Sequence, residues 1–257
     1  MEKESIICKT IETKKNKVEA HFNRFLNNIS EEGLKRKNHD IAEVLRKDGR
    51  EKRFAEKRFA EKREMPELNI ELLPNMNIDD LSECAKLIDS PILQQVHLGV
   101  LGIRKMVSNY NKSPIKKIIN SGVVPKLIDL IDKEKCSPNI KYEAAWCITN
   151  LAMGNFDQVK YLTDNGVIPK LLKLMQSEQD YLKDQAIWAI GNIVCENIMF
   201  RDMALNEGVL ESLIKILEVT SDANVIKEGC WVISNMVKGT PPPPFEKVKN
   251  VRFRVSV

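Results

Sequence analysis

A block of this sequence returns at intervals of 42 to 44 residues. NSGVVPKLIDLI (Asn120 to Ile131) comes back as DNGVIPKLLKLM (Asp164 to Met175) and again as NEGVLESLIKIL (Asn206 to Leu217), with Gly122, Gly166 and Gly208 in register. Each glycine suits a turn with positive φ that closes one helix. Pro125 and Pro169 suit the first turn of the next, where a missing N–H costs nothing. An apolar helical pattern, a polar link (KEKCSPN, QSEQDY, VTSDAN) and a further helix complete each unit, so a unit is two main helices and a shorter one. A period near 42 lies in the range of roughly 40–47 residues typical of helical solenoid repeats. The fold this predicts is all-α, about three stacked repeats in which equivalent positions line up in space. Nothing in the repeats alternates with the period of two that strands need. No run of 18 apolar residues marks a membrane span, and no charged start with an apolar core marks a signal peptide.

The chain has only three tryptophans, each four residues before an asparagine: Trp146 and Asn150 in AAWCITN, Trp188 and Asn192 in AIWAIGN, Trp231 and Asn235 in GCWVISN. The tryptophans are 42 and 43 residues apart. On a helix, positions i and i+4 share a face, so stacking the repeats predicts a ladder of indoles and carboxamides along one surface. The buried seam has other occupants in the same helices: Ala145, Ile148, Leu151, Ile187, Ile190, Ile193, Val232 and Ile233. Between parallel indoles a lysine or arginine can lay its stem and hold its charge against two ring faces. Asparagine offers both a donor and an acceptor to the backbone of an extended peptide. A ladder of this kind binds a basic extended peptide and needs no catalytic step. No GxxxxGK, HExxH or GxSxG occurs, so no enzyme is expected. His21, His39 and His97 are scattered, and the six cysteines (Cys8, Cys84, Cys136, Cys147, Cys195, Cys230) form no CxxC. No metal or other cofactor is expected, and reduced thiols point to cytosol or nucleus.

Charge divides the chain. Residues 1–66 hold 18 Lys+Arg against 13 Asp+Glu, a net of +5; the rest hold 22 against 23, a net of −1. The excess lies in LKRKNHDIAEVLRKDGREKRFAEKRFAEKRE, which has too little apolar surface for a core of its own. A solvated helix laced with ion pairs is one reading, and a charged, exposed and largely disordered tail is the other. Interspersed acids argue against direct nucleic-acid binding. The organisation expected is therefore a basic segment at 1–66, a linker at 67–77, repeats at 78–240 beginning with a helical fragment at Ile78 to Ile88, and a proline-rich tail at 241–257.

These motifs resemble importin-α, an armadillo-repeat family that carries cargo bearing basic nuclear localisation signals. AAWCITNLAMG, DQAIWAIGNIVCENIMFRD and GCWVISNMVKGTPPP look like its first repeats, and LKRKNHDIAEVLRKDGREKR is similar to its importin-β-binding segment. The resemblance implies signal-peptide contacts from the three Trp–Asn pairs and from Ser108, Gly154, Asp184 and Gln185. Glu196, four residues after Asn192, stands where the family places an aspartate that pairs with the most critical signal lysine. Val159 departs from the family's usual threonine, so that hydroxyl contact is missing. Lys35, Arg36, Lys37, Arg46, Lys47, Arg50, Lys52, Arg53, Lys57 and Arg58, with Lys62 and Arg63, fall in the segment implied to bind importin-β and to compete for the chain's own groove.

The family has ten repeats, and this sequence supplies three before TPPPPFEKVKNVRFRVSV, whose last seven residues alternate like a strand. A truncated isoform, a gene fragment or a divergent minimal adaptor would each give that pattern. Besides an import adaptor in cytoplasm and nucleus, two other readings stay open. One is an armadillo scaffold for another extended partner; the other is a competitor that takes up importin-β without carrying cargo.

Overall fold

The computed structural model describes residues 78–108 and 114–249, which form helices, turns and loops with no strand among them. A 3-10 turn at Ile78–Asp80 leads into α1 (Leu81–Ile88), and α2 (Leu93–Val107) packs against it. A triplet of two shorter helices and one long helix then recurs three times. The first is α3 (Ile115–Asn120), α4 (Val124–Asp132) and α5 (Pro138–Leu151); the second α6 (Phe156–Asp164), α7 (Val167–Leu174) and α8 (Asp180–Glu196); the third α9 (Ile198–Asn206), α10 (Val209–Val219) and α11 (Ala223–Met236). A single turn, α12 (Phe245–Val248), follows the prolines. The long helices α2, α5, α8 and α11 pack on one another in sequence order, the backbone of an armadillo solenoid.

The local chemistry behaves as the repeat predicts. Gly122, Gly166 and Gly208 adopt φ of 73°, 75° and 78°, in the left-handed region that lets one helix end and the next begin at once. Pro125 and Pro169 sit in the first turns of α4 and α7. The side chains of Ser137, Asn155 and Asp222 cap α5, α6 and α11, with Gln158 completing a capping box at α6. The long helices α5 and α8 are buried on most sides, because each is sandwiched between its neighbours and the shorter helices. Every seam residue named from the sequence is buried.

Ion pairs stitch adjoining units along the medium helices: Lys126 of α4 reaches Asp89, and Lys170 of α7 donates to Asp132 of α4 at 2.8 Å. Burial alone would raise the Asp132 carboxyl; Lys170 and Lys173 outweigh it and hold it below its ordinary value. At α11 the pattern changes. Cys230 is exposed although Ala145 and Ile187, its counterparts in α5 and α8, are fully buried, since no described repeat follows to cover that side. Arg201 of α9 is buried and donates from Nη1 to the carbonyls of Lys238 (2.8 Å) and Pro241 (3.1 Å), which fastens the exit of α11 to its own repeat.

Candidate peptide-binding ladder

The three Trp–Asn pairs lie in α5, α8 and α11, the helices that stack on one another. The indoles sit deeper than a surface ladder predicts: Trp146 is 8% exposed and Trp188 3%, and Trp231 is half-buried. The reason is how closely the long helices approach. A Cβ at Gly191 of α8 would stand 2.1 Å from the Trp231 ring, so the last indole lies directly against the preceding helix. Trp146 is held from two sides. Tyr142 meets its ring edge-on with centroids 5.6 Å apart, and the Arg104 guanidinium of α2 stands 4.6 Å from its centroid.

The asparagines bond backwards, each to the preceding long helix. Asn150 Nδ2 donates to Ser108 Oγ at 2.9 Å, and Asn192 Nδ2 donates to the Thr149 carbonyl at 3.0 Å. That carbonyl is among the last four of α5, which have no partner within the helix. Gln185 Nε2 donates to Thr149 Oγ1 at 2.6 Å, and that hydroxyl donates to the Ala145 carbonyl at 2.9 Å. Thr149 is thus a hub that fixes two side chains of α8 on α5. Gln185 is a strut between repeats, where the family resemblance implied a ligand contact.

These bonds use only one end of each amide. Asn150 Oδ1 and Asn192 Oδ1 are buried with no hydrogen-bond partner, and so is Asn235 Nδ2. Leaving a buried polar atom unpaired costs about 1–3 kcal/mol. Here three occur in register along the stacked helices. The chemistry they ask for is N–H groups at Asn150 and Asn192 and a carbonyl at Asn235.

Carboxylates accompany the ladder. Asp184 is buried one turn before Trp188, and Glu196 is partly exposed at the end of α8. Two further acids, Glu143 and Glu228, are buried three residues before Trp146 and Trp231. Sequence reasoning passed over them, although the series Glu143, Gln185, Glu228 shares the tryptophan period. It also passed over Arg104, which subtracting one period of 42 from Trp146 would have found. Gly154 lies in the turn after α5. A Cβ there would come 2.2 Å from Gln158 Oε1, which accepts from the Asn155 N–H, so the α6 capping box itself requires glycine. Val159 is fully buried in α6.

The basic positions Lys35, Arg36, Lys37, Arg46, Lys47, Arg50, Lys52, Arg53, Lys57 and Arg58 lie outside the described residues, as do the linker at 67–77 and the alternating terminal residues. Among the described residues no group of three or more His, Cys, Asp or Glu could hold a metal ion, and no helix is long and apolar enough to cross a membrane. Cys84, Cys136 and Cys147 are buried free thiols, and burial pushes Cys84 up to about 11, far from the reactive thiolate.

A family model for armadillo/β-catenin-like repeats matches residues 111–153 and 155–195. Importin subunit alpha-5 of Arabidopsis thaliana is 37% identical over 186 residues, which cover 70% of this chain and 35% of that protein. Importin subunit alpha-1b of Oryza sativa subsp. japonica is 33% identical over 146 residues, 57% of this chain and 27% of that one. This is an armadillo protein of the importin-α family. It spans about a third of the length of these importin-α relatives. Among solved structures, a designed armadillo repeat protein in complex with the peptide (KR)4 is similar at a TM-score of 0.59 and 30% identity, covering 66% of this chain and 68% of that one. Armadillo proteins designed computationally for modular peptide recognition are similar at a TM-score of 0.60 and 26% identity.

Proposed function

We propose that the chain is a nuclear import adaptor that binds a basic, extended localisation signal along the Trp–Asn ladder and offers its N-terminal basic segment to importin-β. The observation that carries the peptide half is the pair of buried asparagine oxygens, Asn150 Oδ1 and Asn192 Oδ1, unpaired and in register beside indoles. Backbone N–H groups of an extended peptide satisfy them whatever its sequence. Indole faces and the carboxylates of Glu196 and Asp184 then select lysine and arginine. The designed relative that was solved with (KR)4 shares this fold and so supports the choice of a basic ligand. The importin-β half rests on the sequence of residues 35–63. An adaptor of this kind works in both cytoplasm and nucleus.

Two titrations test the two halves separately. Trp188 has a tryptophan-bearing repeat on each side, so it walls two slots. Trp188→Ala should therefore weaken a Lys-rich signal peptide by about 2 kcal/mol, as truncation of a central aromatic anchor does. Calorimetry that found the affinity within twofold of the parent would remove the peptide reading. A pull-down with importin-β alone tests the other half, and capture of importin-β without any peptide binding would favour the competitor reading.

A further inference from the structure

The ladder has a fourth rung, and it carries no indole. One period before Asn150 is Ser108, and the bond from Asn150 Nδ2 to Ser108 Oγ shows that the two positions face each other across the helices. One period before Trp146 is Arg104. Its Cζ stands 4.6 Å from the Trp146 ring centroid, and its Nε donates to Glu143 Oε2 at 2.8 Å. The two charged side chains are only 12% and 6% exposed. A guanidinium is planar, so it can stack on an indole and pair in its own plane with a carboxylate at the same time. Desolvation strengthens both contacts.

We infer that Arg104 is the chain's own cation in the first slot, and that it sets the end of the groove and so the number of cations a ligand can use. This inference rests on the peptide-binding reading above. A ligand lysine brought to that end meets an indole face already covered and a positive charge already in place, and the nearest buried carboxylate, Glu143, is engaged. The pair is not easily displaced, because removing one member leaves the other charge buried without compensation. One period before Trp188 and Trp231 stand Trp146 and Trp188, so those rungs bring an indole where the first brings the Arg104 guanidinium. Arg104 thus acts as a specificity-determining residue: it rejects one further cation at its end of the ladder and limits how long a useful basic run can be.

The probe is a series of acetylated, amidated (Lys-Ser)n peptides, which in extended form present all lysines on one face. Dissociation constants are measured by calorimetry for the full chain and for Arg104→Gln at one fixed ionic strength. In the parent, affinity should rise with n and then level off, each further unit adding less than twofold. In Arg104→Gln the plateau should come one unit later, and that unit should add at least fivefold, drawn by the released Glu143 carboxylate. If the single variant folds poorly, Arg104→Gln with Glu143→Gln removes both buried charges, and the same one-unit delay should appear with a gain of roughly threefold. Identical plateau lengths in parent and variants would overturn the inference while leaving the groove intact. A parent chain that binds no member of the series would overturn the peptide reading and this inference with it.

Discussion

Asn192 gives the sharpest separation between a structural and a binding role. Its side chain is fully buried, with Nδ2 on the Thr149 carbonyl and Oδ1 unpaired. Asn192→Ala strands that carbonyl, a buried acceptor with no partner in its own helix, at a cost of about 1–3 kcal/mol. The small void left behind costs on the order of 1 kcal/mol more. Against these losses, the substitution removes an unpaired buried oxygen that costs about 1–3 kcal/mol. The stranded carbonyl and the removed oxygen offset each other, so folding stability should fall by about 1 kcal/mol, or about 2–4 °C in Tm for a domain of this size. Binding has no such offset. A peptide N–H loses an acceptor that was already desolvated, about 1–3 kcal/mol, which corresponds to roughly fivefold to a hundredfold in Kd. Thermal unfolding and calorimetry with a Lys-rich peptide measure both numbers on the same preparation. A Tm lowered by more than about 5 °C with Kd unchanged within twofold would refute the reasoning and make Asn192 a plain packing residue.

Three other outcomes follow from the same geometry. Gly191→Ala places a Cβ 2.1 Å from the Trp231 ring. The half-buried indole should swing outward at a cost of about 1–3 kcal/mol, partly offset by alanine's better helix propensity of about 1 kcal/mol, so peptide affinity should fall far more than Tm. Glu196→Lys should abolish binding of a basic peptide through like-charge repulsion while leaving the melting curve nearly in place, since Glu196 is partly exposed at a helix end; a melted domain that still bound peptide would contradict its assignment. If basic pairs such as Lys52–Arg53 and Lys57–Arg58 are a weak tethered competitor, deleting residues 1–66 should raise peptide affinity by less than about tenfold, and the gain should shrink as salt rises; equal affinities at low salt would dismiss the competitor.

The sequence disclosed the period and with it most of the fold. Glycines at positive φ, first-turn prolines and the apolar seam follow from rules that act within a few residues, and all reappear in the helices. The choice of ladder residues was legible for the same reason, as helix periodicity puts Trp and Asn on one face. What it could not disclose was depth. How far an indole sinks depends on the distance between long helices, as the contact of Trp231 with Gly191 of the preceding repeat shows. The bonding of the asparagines was hidden as well, because Ser108 and Thr149 are neighbours only across a repeat boundary. The same holds for Gln185, whose bond to Thr149 in the preceding helix no local pattern announces. Arg104 stands outside the tryptophan pattern in residue type but inside it in spacing, a cation where the later rungs carry an indole.

The backward bonds of the asparagines have a consequence for how the molecule would come apart. In a solenoid each unit touches only its neighbours, so an end can fray without the middle knowing of it. The bonds from Asn150 to Ser108 and from Asn192 to Thr149 obey that rule, joining adjacent long helices only. A peptide lying across Asn150, Asn192 and Asn235 breaks it. It would link α5 directly to α11, helices with another between them, and turn a chain of independent joints into a braced truss. Cargo would then be felt as cooperativity: the occupied solenoid should unfold in one steeper step, and the half-covered α11 with its exposed Cys230 should be the region whose fraying is suppressed most.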